Sequence, residues 1–246
     1  MKIATLLFTY RLASPNLLLI VAAVVPALVL LVYVYRKDRI EKEPNRLLAR
    51  LLLWGIVSTF LAVVSESVGA AALAFFLPGG EENPAYGFWM FFVVVALSEE
   101  GFKYLVLRWR TWNSAHFNCR FDGVVYAAYV SLGFALWENI GYVTLYGLDA
   151  AVARALTAVP GHASFGVFMG ACYGLARQNE NQGEHEASRF WQWLSVLLPA
   201  AIHGGYDYIA IVRSEENGGA FFLFVALVFL SAAALLRRLS RRDRFI

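Results

Sequence analysis

At 246 residues, 59% hydrophobic and only 16% charged, the chain departs from a soluble domain, where about a quarter of residues carry charge. Its apolar residues come in long blocks, which excludes a large soluble core and leaves a polytopic membrane protein. The net charge of +3 is no nucleic-acid signature, because the basic residues sit in loops and at the C-terminus, where membrane topology accounts for them.

The first twelve residues lack a convincing apolar core and a small-residue cleavage site, so no cleaved signal peptide is expected, although a short interfacial helix fits there. Span 1 is expected at about 16–35, with Pro26 as a tolerated kink. Span 2 covers about 48–77, contains Glu66, and is overlong for a bilayer. Spans 3 to 7 follow at about 87–108, 123–146, 152–176, 190–213 and 218–237. Cys119 falls in a loop and Cys172 in a span, so no disulfide between them is expected.

Sixteen basic residues lie in the loops after spans 1, 3 and 5 and in the C-terminal tail, against Lys2, Arg11, Arg154 and Arg213 on the other side. Every second loop is therefore basic. The expected fold is an all-α transmembrane bundle of about seven spans, N-terminus outside and C-terminus cytoplasmic, forming one domain over 1–246.

Ionisable groups in the membrane are costly and face the bundle interior or water. Here they are Glu66, Glu99, Glu100, Lys103, Glu138, His162, His203 and Asp207. His116 and His185 fall in loops and are expected to be solvated. At ~1.5 Å per residue, Glu138, His162 and His203 come out roughly 20 Å above the cytoplasmic ends of their spans. Glu99 and Glu100 come out lower, unless span 3 continues helically through Arg110.

Spacing sharpens the set. Lys103 lies four residues after Glu99 and three after Glu100, within reach of either. The two carboxylates are ~100° apart around a helix, so one is expected to face the site. His203 and Asp207 share a helix face, so the carboxylate can fix the imidazole tautomer. Pro160 and Pro199, just before His162 and His203, are expected to bend their helices. Gly166, Gly170 and Gly174 form a small-residue stripe for close helix packing. Trp137, Tyr206 and Tyr208 read as core or lipid-facing aromatics.

Four motifs occur in order over about 95–210: Glu99-Glu100-x-x-Lys103; Phe134-x-x-x-Glu138-Asn139; His162 followed by Phe165 and Gly170; and His203-x-x-x-Asp207. Together they resemble the PrsW family of intramembrane proteases, relatives of the CAAX prenyl endoproteases and, more distantly, of the gamma-secretase scaffold subunit. The resemblance implies hydrolysis of peptide bonds within or near a prokaryotic cell membrane, in single-span substrates such as anti-sigma factors. It also implies that Glu99, Glu100, His162 and His203 are the catalytic group, with Lys103, Glu138, Asn139 and Asp207 in support.

Two mechanisms suit these residues. In one, His162 and His203 hold zinc with Glu138 or Asp207 as third ligand, and Glu99 or Glu100 is the general base. In the other no metal takes part, a glutamate activates water with His162 as partner, and the His203–Asp207 region stabilises the oxyanion. Two other classes compete: a proton- or cation-coupled transporter, against which no inverted repeat is seen, and a catalytically silent scaffold that binds transmembrane helices. The oligomeric state is open.

Overall fold

A computed structural model describes residues 17–212 and 218–246. The expected interfacial helix of the first twelve residues, Lys2, Arg11 and Arg213 lie outside the described residues. No β-strand forms among the described residues, and one isolated bridge joins Cys119 to Phe245. An apolar chain without water must satisfy its backbone internally, and helices do so within each segment.

The helices are α1 (Leu17–Lys37), α2 (Asn45–Phe76), α3 (Leu97–Thr111), α4 (Asp122–Leu156), α5 (Ala158–Asn181), α6 (His185–Val212) and α7 (Gly218–Arg241). Five stretches are long and apolar enough to cross a membrane: α1, α2, a 60-residue stretch from Asp122 to Asn181 that includes α4 and α5, His185–Ile211, and α7.

The third expected span is not one α-helix. A turn at Tyr86–Phe88 runs into a π-helical stretch, Trp89–Ala96, and then into α3. π-Helical segments are rare and cluster at functional sites. This one ends three residues before Glu99. Because α3 continues to Thr111, Glu99 stands about 18 Å from that end of the bundle, level with the acids and imidazoles of the other helices.

The chain between the fourth and fifth expected spans departs from the expected open loop. Helical structure resumes after Gly147, whose φ of 78° breaks the helix in a conformation that favours glycine, and continues to Leu156. Arg154 is thereby folded back into the bundle instead of lying in an outer loop. Pro160 is likewise no kink. It is the third residue of α5, within the first turn, where a missing N–H breaks no helical hydrogen bond. Pro199 does lie inside α6, as Pro26 does inside α1.

α4 is the central helix, and its residues 122–128 and 130–135 are all buried. Two backbone approaches allow this. A Cβ on Gly133 would sit 2.2 Å from the Leu52 carbonyl oxygen of α2, and one on Gly170 would sit 2.4 Å from that of Gly123, across the α4–α5 contact. The glycine stripe of α5 thus serves close packing, as its spacing suggested.

At the end of the bundle that carries the basic loops, the C-terminal tail is stitched to the α3–α4 connection. Phe121 N–H donates to Asp243 Oδ1 (2.9 Å), Arg120 N–H to the Arg244 carbonyl (3.1 Å) and Ile246 N–H to the Asn118 carbonyl (2.8 Å). Nearby, the α1–α2 connection buries Asp38 and Glu43. Burial pushes the Asp38 carboxyl up to about 6 against the lowering pull of Lys42, and pushes Glu43 up to about 7. Both values exceed those of the free side chains, 3.8 and 4.5, so folding takes up protons in this window. Stability therefore falls as pH rises from about 4.5 through about 7. Glu43→Gln is expected to raise the melting temperature at pH 8 and to leave it unchanged near pH 4, as read by thermal unfolding of the full chain in detergent.

Candidate active site

The site grows from α3. Lys103, fully buried, donates from Nζ to Glu100 Oε1 (2.7 Å), Glu99 Oε2 (3.1 Å) and His162 Nδ1 of α5 (3.1 Å). Its ammonium also stands 3.9 Å from the centroid of the Phe134 ring on α4, a cation–π contact. The i,i+3 and i,i+4 spacing lets one cation serve both glutamates.

The two imidazoles differ in their surroundings. His162 Nε2 is 2.8 Å from Glu138 Oε2 on α4, while its Nδ1 faces Lys103. An ammonium only donates, so Nδ1 accepts and Nε2 carries the proton given to Glu138. That fixes one tautomer. His203 on α6 has Nδ1 3.0 Å from Glu100 Oε1 and Nε2 3.3 Å from Asp207 Oδ2. Both of its nitrogens face carboxylate oxygens, so both can carry protons. Phe165 stacks on the His203 ring at 4.7 Å, and the two imidazole centroids are 5.3 Å apart. Ser131 Oγ donates to the His162 carbonyl (2.7 Å), tying this turn of α5 to α4.

The chain of polar contacts extends beyond the residues singled out in the sequence. Arg154 Nη2 donates to Glu138 Oε2 (2.9 Å) and its Nε to Asn139 Oδ1 (2.9 Å). Asn139, buried, passes the restraint on by donating from Nδ2 to the Ala23 carbonyl of α1 (2.7 Å). Helical spacing gave no pointer to Arg154, which lies sixteen residues after Glu138. The signal available was the glycine at position 147, where the chain turns back.

A cavity of about 200 Å³ opens beside this chain, lined by Glu66, Glu99, Glu138, His162, His203 and Asp207 among others. Glu99 faces it, whereas Glu100 stands behind with no exposed surface and is not among the lining residues. Trp137, Tyr142 and Tyr206 also line it, which takes Trp137 and Tyr206 beyond a role as generic core aromatics. His185 is solvent-facing and paired with Glu180 (3.1 Å), and His116 is exposed, both away from the cavity. Cys119 and Cys172 are free thiols.

Glu99, His162 and His203 each offer one ligand atom, all within 4.8 Å of one another. Two imidazoles and a carboxylate are a zinc donor set in kind, although a tetrahedral zinc site draws its ligand atoms closer, to about 3.3 Å. Glu138 and Asp207, the third ligands considered from sequence, instead hold the imidazoles from behind, each contacting the Nε2 atom.

Carboxylates, imidazoles and one ammonium, converging on a cavity inside an apolar helical bundle, are the equipment of a membrane-embedded hydrolase. Residues 43–234 match the family described as PrsW family intramembrane metalloprotease. Protease PrsW of Geobacillus kaustophilus is 36% identical over 214 residues, covering 87% of this chain and 88% of that protein. Protease PrsW of Bacillus subtilis is 33% identical, covering 86% and 90%, and that of Clostridioides difficile is 28% identical, covering 86% of each. No solved structure matches. The chain belongs to the PrsW family, and it is an intramembrane protease of a prokaryotic cell membrane.

Arg154 touches no reacting atom in this arrangement and acts through Glu138 on His162. Arg154→Gln is expected to lower kcat for a membrane substrate about 10–100-fold with little change in KM, the scale seen when a partner that orients a site residue is lost. Arg154→Lys should restore part of the loss. Cleavage kinetics of the two variants in proteoliposomes, beside their melting temperatures, check this.

Proposed function

We propose that Glu99 is the general base of peptide-bond hydrolysis, with Glu100, Lys103, His162 and His203 completing the catalytic group. The observation that carries this reading is the position of Glu99, a carboxylate facing the cavity while held by Lys103 and flanked by both imidazoles. Glu99 takes a proton from a water as its oxygen attacks the scissile carbonyl carbon. The carbonyl oxygen becomes an oxyanion, and His203 lines the same cavity as the donor to stabilise it, its Nε2–H leaving the longer contact to Asp207 Oδ2 (3.3 Å) for the oxyanion while Nδ1 stays on Glu100 Oε1 (3.0 Å). The proton on Glu99 then passes to the leaving amine as the C–N bond breaks. His162, its tautomer fixed by Lys103 and Glu138, walls the cavity and holds the ammonium in place.

Zinc, if held by Glu99, His162 and His203, would add Lewis-acid polarisation of the carbonyl and a more acidic water. The Lys103 ammonium already lies between Glu99 and His162, so a cation is present where two of those donors meet. This favours the metal-free version of the reaction. Glu138 serves better as the partner that orients His162 than as a ligand.

The chain forms one membrane domain over 1–246 and crosses seven times in this proposal. The 60-residue stretch from Asp122 to Asn181 would measure about 90 Å if straight, three bilayer cores, and so crosses twice with its break near Gly147 to Thr157. The segment from Tyr86 to Thr111 supplies the remaining crossing. The basic loops put the C-terminus in the cytoplasm and the N-terminus outside. Arg154, engaged by Glu138 in the interior, no longer counts against this orientation. The substrates are single-span membrane proteins of the anti-sigma-factor kind, by family resemblance.

Glu99→Gln keeps the shape of the side chain and removes the base. Its cleavage rate in proteoliposomes is expected to fall at least about a thousandfold while the protein stays folded, beyond the 10²–10⁴ range of general-base removal only if the cluster collapses too. A Glu99→Gln variant with near-normal cleavage would sink the assignment. Chelation is expected to leave most activity intact. Zinc found in stoichiometric amount in the folded protein, and lost together with all cleavage, would move the reaction to the zinc version.

A further inference from the structure

The basic end of the bundle carries a second cavity, of about 510 Å³, remote from the acid–imidazole chain and unused by the hydrolytic reading. It lies between the start of α2 and the end of α3. Arg46, Arg50 and Arg110 line it together with Trp109, Ser114 and His116, and no carboxylate does. Among the described residues no carboxylate oxygen lies within 4.0 Å of any of the three guanidinium groups. Arg110 is half-buried, and its Nε is buried without a hydrogen-bond acceptor. Its guanidinium is placed by two indoles, 5.0 Å from the Trp109 centroid and 5.9 Å from that of Trp54. The two indoles meet edge to face at 4.7 Å.

Topology alone asks for arginines at this end, but it asks for solvated ones. It does not ask for three in one concavity, with a planar group fixed by aromatic contacts and a buried donor left open. Guanidinium groups bind phosphate oxygens through paired N–H donors, and basic pockets between helices at this level bind lipid headgroups. The apolar surface beside the cavity decides between lipid and free phosphate. Trp109 is 63% exposed, and on α2 the exposed side chains Leu53, Val57, Phe60, Leu61 and Val64 form a stripe that starts at the level of Trp54 and runs away from the cavity along one helix face. A phosphate seated among the arginines has acyl chains with somewhere to lie. The exposed Trp109 indole at the mouth matches the interfacial level at which Trp anchors sit.

We propose that this cleft binds the headgroup phosphate of an anionic phospholipid, whose chains lie along the exposed face of α2. The lipid joins the start of α2 to the end of α3, the helix that carries Glu99, Glu100 and Lys103.

Native mass spectrometry of the full chain released from detergent micelles tests it, with phosphatidylglycerol, phosphatidylcholine and inorganic phosphate as the added probes. The expected result is retention of one phosphatidylglycerol about tenfold more tightly than phosphatidylcholine. R46Q/R50Q/R110Q is expected to lose at least about tenfold in that affinity. R36Q/R39Q/R189Q removes the same charge from exposed positions at the same end and should stay within about twofold. Arg110→Lys, which keeps the charge and loses the fork, should weaken binding several-fold and covers the case in which the triple variant fails to fold. Equal losses in the two triple variants, equal binding of the two lipids, or an unchanged Arg110→Lys would each overturn the proposal. Displacement of the lipid by millimolar inorganic phosphate would overturn it too, by assigning the cleft to free phosphate.

Discussion

One buried ammonium determines how the rest of this site can be built. Three ionisable groups within five residues of one helix would each cost a few kilocalories per mole at membrane depth, roughly 2.5–3.5 on insertion scales. Lys103 reduces that cost by being shared. It has no exposed surface, donates to both glutamates and to His162, and rests over the Phe134 ring. A single buried ion pair is often no more stable than an apolar pair of the same shape, but breaking one leaves an uncompensated charge and is strongly unfavourable. The positive centre therefore cannot be removed without changing every acid around it. The same constraint gives the site its asymmetry. One imidazole must accept from the ammonium, while the other is left between two carboxylates.

Holding these groups at hydrogen-bond distance requires four helices to meet closely. α4 can lie between α2 and α5 because glycines at both crossings leave room for opposing backbone, at Gly133 against Leu52 and at Gly170 against Gly123. Gly204, next to His203, plays a similar part. A Cβ there would come within 2.7 Å of Phe92 in the π-helical stretch. That stretch turns the segment before α3 by about 80° per residue instead of 100°, so it resets which face of α3 points inward. Close packing and helix register thus serve the electrostatics, since an acid displaced by one residue would face lipid.

Much of this was legible in the sequence because charge in an apolar run is informative in itself. Glu99, Glu100, Lys103, His162, His203 and Asp207 were identifiable one by one, and i,i+3 or i,i+4 spacing already paired Lys103 with its glutamates and His203 with Asp207. Contacts between helices were not legible. Periodicity says which residues share a face but not which helix that face meets, so nothing distinguished Glu138 as a ligand from Glu138 as the group behind His162. Arg154 was hidden for a different reason. Its position follows from a backbone turn at Gly147, and a glycine followed by Leu-Asp-Ala-Ala reads equally well as an exposed loop. The π-helical stretch had no signal at all, because Trp89–Ala96 is uniformly apolar and lacks the Gly or Pro that marks irregular helix elsewhere.

The hydrogen bonding of a helix constrains what can be cleaved at this site. Helical carbonyls are poor targets for a water, being hydrogen-bonded along the axis and screened by side chains that point back over the preceding turn. With Glu99 as the proposed base, the bond brought to it must therefore lie in chain that is already extended or has been unwound. Unwinding within lipid leaves backbone groups without partners, at a cost of several kilocalories per mole each, unless protein or water takes them up. The polar wall formed by Glu66, Tyr142, Tyr206 and Asp207 offers such partners on the cavity beside Glu99. That wall contains both donors and acceptors, as an unwound peptide requires. On the proposed reading, these polar residues around the cavity have a physical use: they are placed to take up hydrogen bonds that an unwound peptide would otherwise lack.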